Sequence, residues 1–282
     1  MKIKVLVLGA SGMLGSTVNQ LFSADERFET YSTSRTGSFT THKLDLDEQD
    51  VQSLLTEIYP DLVINCIGAI PQNKLDFVDS LCKMFQINTV FPRDLSRIAE
   101  TRRFRLIQPC TNAVYFGNGG PYAENDLKIP RSIYGITKLL GERNHKYQLN
   151  LRCSIIGSEV GTGGKSLYSW LANQEYGASV EGFTNHLWNG ITTKIFSQMC
   201  LYLAEPRNFI PGSINIIPTD FVSKYELLLM VRTFANREDL RIEPKNARKN
   251  SDLRLATNQP DLLNKLWEAI GFSHTPKIIE LF

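Results

Sequence analysis

The chain has 282 residues, 42% hydrophobic and 21% charged, with 31 Lys and Arg against 29 Asp and Glu for a formal net charge of +2. This composition is globular and excludes a mainly disordered chain, and the near-neutral balance argues against a nucleic-acid coat or an acidic tail. No apolar run approaches the roughly 20 residues that span a bilayer, and Met1 to Leu8 lacks a long leader and cleavage site, so a cytoplasmic protein is expected.

Through the first half, short β-rich runs alternate with helical spacing, the order that builds βαβ units: an α/β fold with a doubly wound parallel sheet. Ile3 to Leu8 predicts a buried first strand, and Leu14, Val18, Leu21 and Phe22 put one apolar stripe on the helix that follows. Phe28 to Thr33 predicts a second strand. Val51, Leu54, Leu55 and Ile58 predict a helix ended by Pro60-Asp61, before a central strand over Leu62 to Ile67. Asn88 to Ala99 reads as a helix that Pro92 either begins or kinks. Phe104 to Pro109 is a strand, Tyr134 to Tyr147 a helix, and Leu149 to Ile156 another strand.

From Gly157 the alternation loosens around Gly161, Gly163 and Gly164. The expected division is a dinucleotide-binding domain over 1–157 and a smaller C-terminal substrate lobe over 158–282, with some later segments returning to the sheet. Helices are expected near Thr192 to Leu203, Ser223 to Phe234 and Pro260 to Ile270, the last closed by Gly271, with a short strand near Ser213 to Ile217. The five cysteines are scattered with no C-x-x-C pair and read as reduced core thiols. The four histidines show no metal spacing, and no metal is expected. Trp170, Trp188 and Trp267 read as packing residues, with Trp188 the one placed to meet a substrate. The mildly basic stretch from Arg237 to Arg254 reads as a solvated face, the sharper alternative being an arginine that meets a nucleotide diphosphate.

Gly9-Ala10-Ser11-Gly12-Met13-Leu14-Gly15 follows the first strand and opens the first helix. One glycine permits a tight turn, another lets the backbone approach phosphates, and the last lets helix and strand pack closely, beside free N–H groups at the helix start. At the end of the second strand there is no acid for a ribose 2′-hydroxyl. Tyr31-Ser32-Thr33-Ser34-Arg35 offers hydroxyls and a guanidinium instead, so Ser34 and Arg35 favour a 2′-phosphate and NADP(H), with NAD(H) the alternative. Tyr134 and Lys138 stand at i and i+4 on one helix face, where an ammonium can assist a phenol in acid–base work. Thr111 ends the strand before Asn112, at the carboxyl edge where such folds place their chemistry.

With the glycine turn, Thr111 and Tyr134/Lys138 in this order, the chain resembles an extended short-chain dehydrogenase/reductase with a Rossmann-type sheet. More narrowly, Thr111-Asn112-Ala113-Val114-Tyr115-Phe116-Gly117, Gly120-Pro121-Tyr122-Ala123-Glu124 and Tyr134-Gly135-Ile136-Thr137-Lys138-Leu139-Leu140-Gly141-Glu142 are similar to the dTDP-4-dehydrorhamnose reductase branch, as is the strand Leu151-Arg152-Cys153-Ser154-Ile155-Ile156-Gly157. Asn112-Ala113 departs from the branch's Asp-Tyr, and Trp188-Asn189-Gly190 is foreign to it.

The resemblance implies NADP(H)-dependent reduction of a nucleotide-linked 4-keto-6-deoxy sugar for surface polysaccharide synthesis. Tyr134 would be the proton donor, Lys138 would hold ribose hydroxyls, and Thr111 would steady the alkoxide. It assigns cofactor contacts to Gly9, Ser11, Gly12, Met13, Leu14, Gly15, Ser34, Arg35, Asp45, Leu46, Cys66, Ile67 and Gly68, besides Tyr134 and Lys138; Asn88 matches a further position of the superfamily, where a buried structural role is equally consistent. The expected partner is a small nucleotide sugar, not nucleic acid or membrane, with a homo-oligomer left open. Two other functions remain at this stage: a nucleotide-sugar epimerase, and a non-catalytic NADP-binding regulatory subunit, since one of methionine adenosyltransferase resembles the same branch.

Overall fold

The computed structural model describes residues 1–38, 40–48, 50–71, 76–159 and 166–282. Gly161, Gly163 and Gly164, where the sequence pattern loosens, lie outside the described residues. The chain opens with β1 (Ile3–Leu8), α1 (Met13–Ser23), β2 (Phe28–Ser34), β3 (His42–Lys43), α2 (Val51–Ile58) and β4 (Leu62–Asn65). Then come α3 (Phe77–Phe85), a π-helical turn Gln86–Val90, α4 (Phe91–Arg102), β5 (Arg105–Thr111), α5 (Ile133–Gly141) and β6 (Gln148–Cys153).

Next are β7 (Ile155–Ile156), α6 (Leu167–Ala172), β8 (Ser179–Phe183), β9 (His186–Trp188), β10 (Ile191–Thr192), α7 (Thr193–Leu203) and β11 (Gly212–Asn215). The chain closes with β12 (Val222–Ser223), α8 (Lys224–Phe234), β13 (Arg241–Lys245), β14 (Ser251–Asp252) and α9 (Pro260–Ala269).

Seven strands form one parallel sheet in the order β11-β6-β5-β4-β1-β2-β3. The alternation inside β1 explains why helices must cover both of its faces. Val5 and Val7 point into a cluster with Val18, Phe22, Phe196 and Trp267, whereas Leu6 and Leu8 point into another with Leu54, Leu55, Leu95 and Leu106. All four β1 residues are fully buried, and burial of each stabilises the sheet by about 1.5–3 kcal/mol. The strand order reverses between β1 and β4, which opens a crevice at their carboxyl ends.

The helix expected from Asn88 is the end of a longer helical run. α3 precedes it, and the Phe91 N–H donates to Gln86 O, five residues back, before Pro92 enters the first turn of α4. Pro92 therefore begins the regular part, where its ring-fixed φ already suits the helix. α3 escaped the apolar pattern because Phe77 and Val78 are exposed. The strand expected through Ile156 divides at Ser154 into β6 and β7.

Later segments do return to the sheet: β11 pairs with β6, and Ile195, Phe196, Met199 of α7 and Leu263, Leu266 of α9 join the cluster on one sheet face. The remaining C-terminal elements surround a separate apolar cluster that includes Leu171, Val180, Trp188, Leu228 and Ile242. Short pairings β12-β9-β14 and β13-β8 frame it. Among the described residues, no helix is long and apolar enough to cross a membrane.

Candidate active site

Gly9 adopts φ +76°, a left-handed backbone that strains any other residue. A Cβ on Gly9 would stand 3.1 Å from the Ile67 nitrogen, and one on Gly15 only 2.2 Å from Gly9 O, so these glycines let the turn, α1 and the end of β4 close on one another. Gly12 has another role. It caps α1 without a side chain that accepts from the helix, no acid stands in the first turn, and a Cβ on it would meet only Gly9 O at 3.5 Å. The positive helix end thus faces open space past exposed Ser11 and Gly12, with Met13 and Leu14 half-buried behind them. The cradle fits a pyrophosphate: backbone donors, no competing carboxylate, and room that a side chain would fill.

The end of β2 supports this turn, because Thr33 accepts from Gly9 N through its hydroxyl (3.2 Å) and from Ala10 N through its carbonyl (2.7 Å). Ser34 is buried and its hydroxyl donates to Ser38 O (3.3 Å). Arg35 is exposed and, among the described residues, has no hydrogen-bond or ionic partner, so of these two it is the one free to reach a phosphate. Asp45 accepts from Asp47 N (3.2 Å), and Leu46 packs against the cluster beneath β1.

At the end of β4, Asn65 donates to Gln108 Oε1 (2.9 Å) and accepts from Ile67 N (3.2 Å), which fixes the Cys66-Ile67-Gly68 bend. Burial pushes the Cys66 thiol up to about 12, against a weaker pull from Lys138, so it stays protonated. Gly68 is exposed. Asn88 spends its amide inside the fold, exchanging hydrogen bonds with Ala69 N and O (2.9 and 2.8 Å) and donating to Thr137 Oγ1 (3.1 Å).

Thr111 ends β5 with its hydroxyl oxygen accepting from Ala113 N (3.1 Å), which leaves the hydroxyl proton for an oxygen outside the fold. α5 begins at Ile133 because Ser132 Oγ accepts from Gly135 N (3.0 Å). Two glycines press this helix home: a Cβ on Gly135 would lie 2.2 Å from Ala113 O, and one on Gly141 2.0 Å from Asn88 O. The first contact sets the Tyr134 turn against the Thr111 turn. Lys138 Nζ donates to Pro109 O (3.1 Å), two residues before Thr111, so the ammonium is anchored at the carboxyl end of β5. Tyr134 is half-buried, one helical turn earlier on the same face, and its hydroxyl has no partner among the described residues.

The other motif residues hold this edge together. Asn112 donates to Leu253 O (2.9 Å), Tyr115 and Tyr122 stack with centroids 4.6 Å apart, and Glu124 accepts from Asn215 N, Thr257 Oγ1 and Asn258 N. They join the turn after Thr111 to the C-terminal elements.

Two cavities open among the C-terminal elements. One of about 660 Å³ is lined by Asn118, Arg131, Lys249 and Asp252 among others, and so lies beside the segments that carry Thr111 and Tyr134. Arg131 donates to Asn118 Oδ1 (3.0 Å) and stands 4.7 Å above the Phe116 ring. The other, about 1050 Å³, is lined by residues of α6, β8, β9 and α8, including Trp170, Phe183, His186 and Lys224. The sequence singled out neither Arg131 nor Lys224, since each is a lone basic residue until the fold gives it a cavity.

Trp170, read as packing, is 42% exposed on the cavity wall because α6 turns that face outward; Trp188 is buried and donates to Ser154 Oγ (2.7 Å). Arg237 and Arg254 are committed to Asp239 and Asp252 (both 2.8 Å), which removes them as free diphosphate ligands. Cys110, Cys153 and Cys200 are buried free thiols, Cys66 is half-buried and Cys82 is exposed, so the core reading fails for Cys82. No group of His, Cys, Asp and Glu that could hold a metal occurs among the described residues.

Residues 2–157 match the RmlD substrate binding domain family. The methionine adenosyltransferase 2 subunit beta of Xenopus laevis is 25% identical over 254 residues, 86% of this chain and 75% of that protein. The dTDP-4-dehydrorhamnose reductase of Streptomyces griseus is 34% identical over 140 residues, 49% of this chain and 43% of that protein. The crystal structure of dTDP-4-dehydrorhamnose reductase from Bacillus anthracis in complex with NADP superposes with a TM-score of 0.77 at 19% identity, covering 99% of this chain and 97% of that one.

Proposed function

The chain belongs to the RmlD substrate binding domain family, and from that premise we propose that it is an NADP(H)-dependent reductase of a nucleotide-linked 4-keto-6-deoxy sugar, acting in surface polysaccharide synthesis. One observation supports the reading: Thr111 ends β5, Lys138 donates to Pro109 O of the same strand end, and the helix turn of Tyr134 packs through Gly135 on Ala113, at the same sheet edge as the open glycine cradle. The Streptomyces reductase and the NADP complex from Bacillus anthracis support the substrate class and the cofactor.

The cofactor, when bound, supplies the hydride. Thr111 donates its hydroxyl to the substrate oxygen and steadies the charge that develops there. Tyr134 gives its phenolic proton to that oxygen, leaving an alcohol. Lys138, held by Pro109 O, keeps a positive charge one helical turn from the phenol and is placed to bond the ribose hydroxyls. The Gly9 to Gly15 turn binds the pyrophosphate through backbone N–H groups, and Arg35 takes the 2′-phosphate.

NADPH oxidation followed by absorbance, with a panel of 4-keto dTDP-, UDP- and GDP-sugars, tests the reading; stoichiometric consumption with one of them is the expected result. Arg35→Ala is expected to weaken NADPH binding roughly 10- to 100-fold, the loss of a charge-assisted bond of about 1.5–3 kcal/mol, and to change NADH binding less than about twofold. Equal losses in fluorescence titrations of the two would remove Arg35 from the site.

A second reading has its own support, since the Xenopus laevis subunit beta aligns with 86% of this chain and the Streptomyces reductase with 49%. A non-catalytic NADP-binding regulatory subunit would bind NADPH and oxidise none of it with any sugar of the panel.

A further inference from the structure

The cavity of about 1050 Å³ between α6, β8, β9 and α8 is separate from the Thr111 and Tyr134 edge. β9 divides it from the cavity beside Arg131: His186 lines this one, and Leu187, pointing to the other face of the strand, lines that one. No residue of the glycine turn is on its wall, nor is Thr111, Tyr134 or Lys138. The reductase site therefore leaves this cavity unexplained.

Its size suits a small organic molecule, for which pockets of roughly 300–1,000 Å³ are usual. Leu167, Trp170, Val180, Phe183 and Leu228 make the wall mainly apolar, and two of them offer aromatic faces. Trp170 leaves its ring uncovered there, although tryptophan is ordinarily well buried. A flat apolar group placed against Trp170 and Phe183 would cover both rings.

The same wall carries an uncompensated cation. Lys224 is the first residue of α8, where its charge opposes the positive end of the helix dipole. Among the described residues its ammonium has no carboxylate or hydrogen-bond partner, and the Trp188 ring 5.7 Å away offers a π face but no acceptor atom.

Charged groups on α8 and on the elements packed against it are engaged elsewhere or exposed. Glu226 accepts from Ser223 N (2.6 Å) and Oγ (2.8 Å) in the helix cap, and Glu181 is paired with Lys245 (2.5 Å). Arg241 and Glu243 are exposed, His186 shares a hydrogen bond with Lys249 O (3.1 Å), and Arg232 donates to Leu240 O (3.3 Å). With no anion to offset it, burial pushes the Lys224 ammonium down to about 8.

A single unneutralised ammonium in an apolar wall calls for a single negative charge. A phosphate dianion would set its second charge against that wall and against Glu181, and an uncharged ring would leave the ammonium unpaired. We propose that this cavity binds a small aromatic carboxylate, its ring against Trp170 and Phe183 and its carboxylate accepting from the Lys224 ammonium. Asn173, whose amide has no partner among the described residues, lines the same wall and supplies a second donor. The site is independent of the reductase reading, because no residue of that mechanism lines it.

The test is calorimetric titration of the full chain near pH 7 with 2-naphthoate, uncharged 2-naphthylmethanol and the 2-naphthylmethylammonium cation. The proteins compared are the unaltered chain, Lys224→Met, Lys224→Arg and Trp170→Ala, with thermal melts and NADPH titration as controls for folding. The unaltered protein should bind the carboxylate roughly 10- to 100-fold more tightly than the alcohol, the advantage of a hydrogen bond to a charged group. The cation should bind more weakly still.

Lys224→Met should lose that advantage, hold NADPH affinity within about twofold and melt no lower than the unaltered protein, since an uncompensated charge is gone. Lys224→Arg should keep the order of carboxylate over alcohol, and Trp170→Ala should weaken both by a similar factor. Absence of saturable 2-naphthoate binding, equal affinity for carboxylate and alcohol in the unaltered protein, or an undiminished carboxylate affinity in Lys224→Met overturns the inference. Dimerisation that Trp170→Ala abolishes, with no 2-naphthoate bound, overturns it too and assigns the cavity to a second copy of the chain.

Discussion

Tyr134→Phe is expected to lower kcat for NADPH-dependent reduction by roughly 10² to 10⁴, the ordinary contribution of a positioned general acid. NADPH affinity should hold within about twofold, and the melting temperature should barely move. The reason is geometric: the hydroxyl contributes no hydrogen bond to the fold among the described residues, so its deletion removes a proton donor and nothing structural. Steady-state kinetics with the active 4-keto sugar, beside a cofactor titration, separate these quantities. Turnover within threefold of the unaltered enzyme would remove Tyr134 from the chemistry.

Glu142→Ala should be the most destabilising single change at the site's foundation. Arg152 on β6 is fully buried, donates to Glu142 Oε1 (2.5 Å), stands 5.6 Å from the Tyr115 ring, and has no protein partner for Nε or Nη1 among the described residues. Lys128 also reaches Glu142 (2.9 Å). Without the carboxylate the guanidinium stays buried and unpaired, at a cost of about 3–5 kcal/mol, which lowers the melting temperature by roughly 10 °C in a chain of this size. Turnover should fall as well, because Glu142 directly follows α5, the helix that carries Tyr134 and Lys138.

The acid side gives an independent check on the same pair. Burial pushes the Glu142 carboxyl up, but Arg152 and Lys128 together outweigh it and hold the group below its ordinary 4.5. Its stabilisation is therefore present above that value and lost as pH falls through the lower folded one. Glu142→Gln should lose less stability than the unaltered protein on acidification below about pH 4.5. Identical acid profiles with unchanged melting at pH 7 would mean that water, not Glu142, satisfies Arg152.

The sequence by itself determined the sheet and the cofactor end of the site, because both are written in local spacing. Alternating Val and Leu in β1 commit each sheet face to a helix layer, and Gly9, Gly12 and Gly15 encode a turn whose geometry depends on residues only a few positions apart. The i, i+4 relation of Tyr134 and Lys138 is likewise a property of one helix.

Tertiary structure alone decided the rest. Ser34 and Arg35 look equivalent along the chain, and only hydrogen bonds with Ser38 O and Thr40 Oγ1 use up one of them. Asn88 becomes a bracket between Ala69 and Thr137 because a π turn delivers it to α5. Trp170 and Lys224, 54 positions apart, come to one cavity only because α6, β8, β9 and α8 enclose it. Such contacts join residues tens of positions apart, and the burial that gives them their energy belongs to the packed elements together, so no local pattern records it.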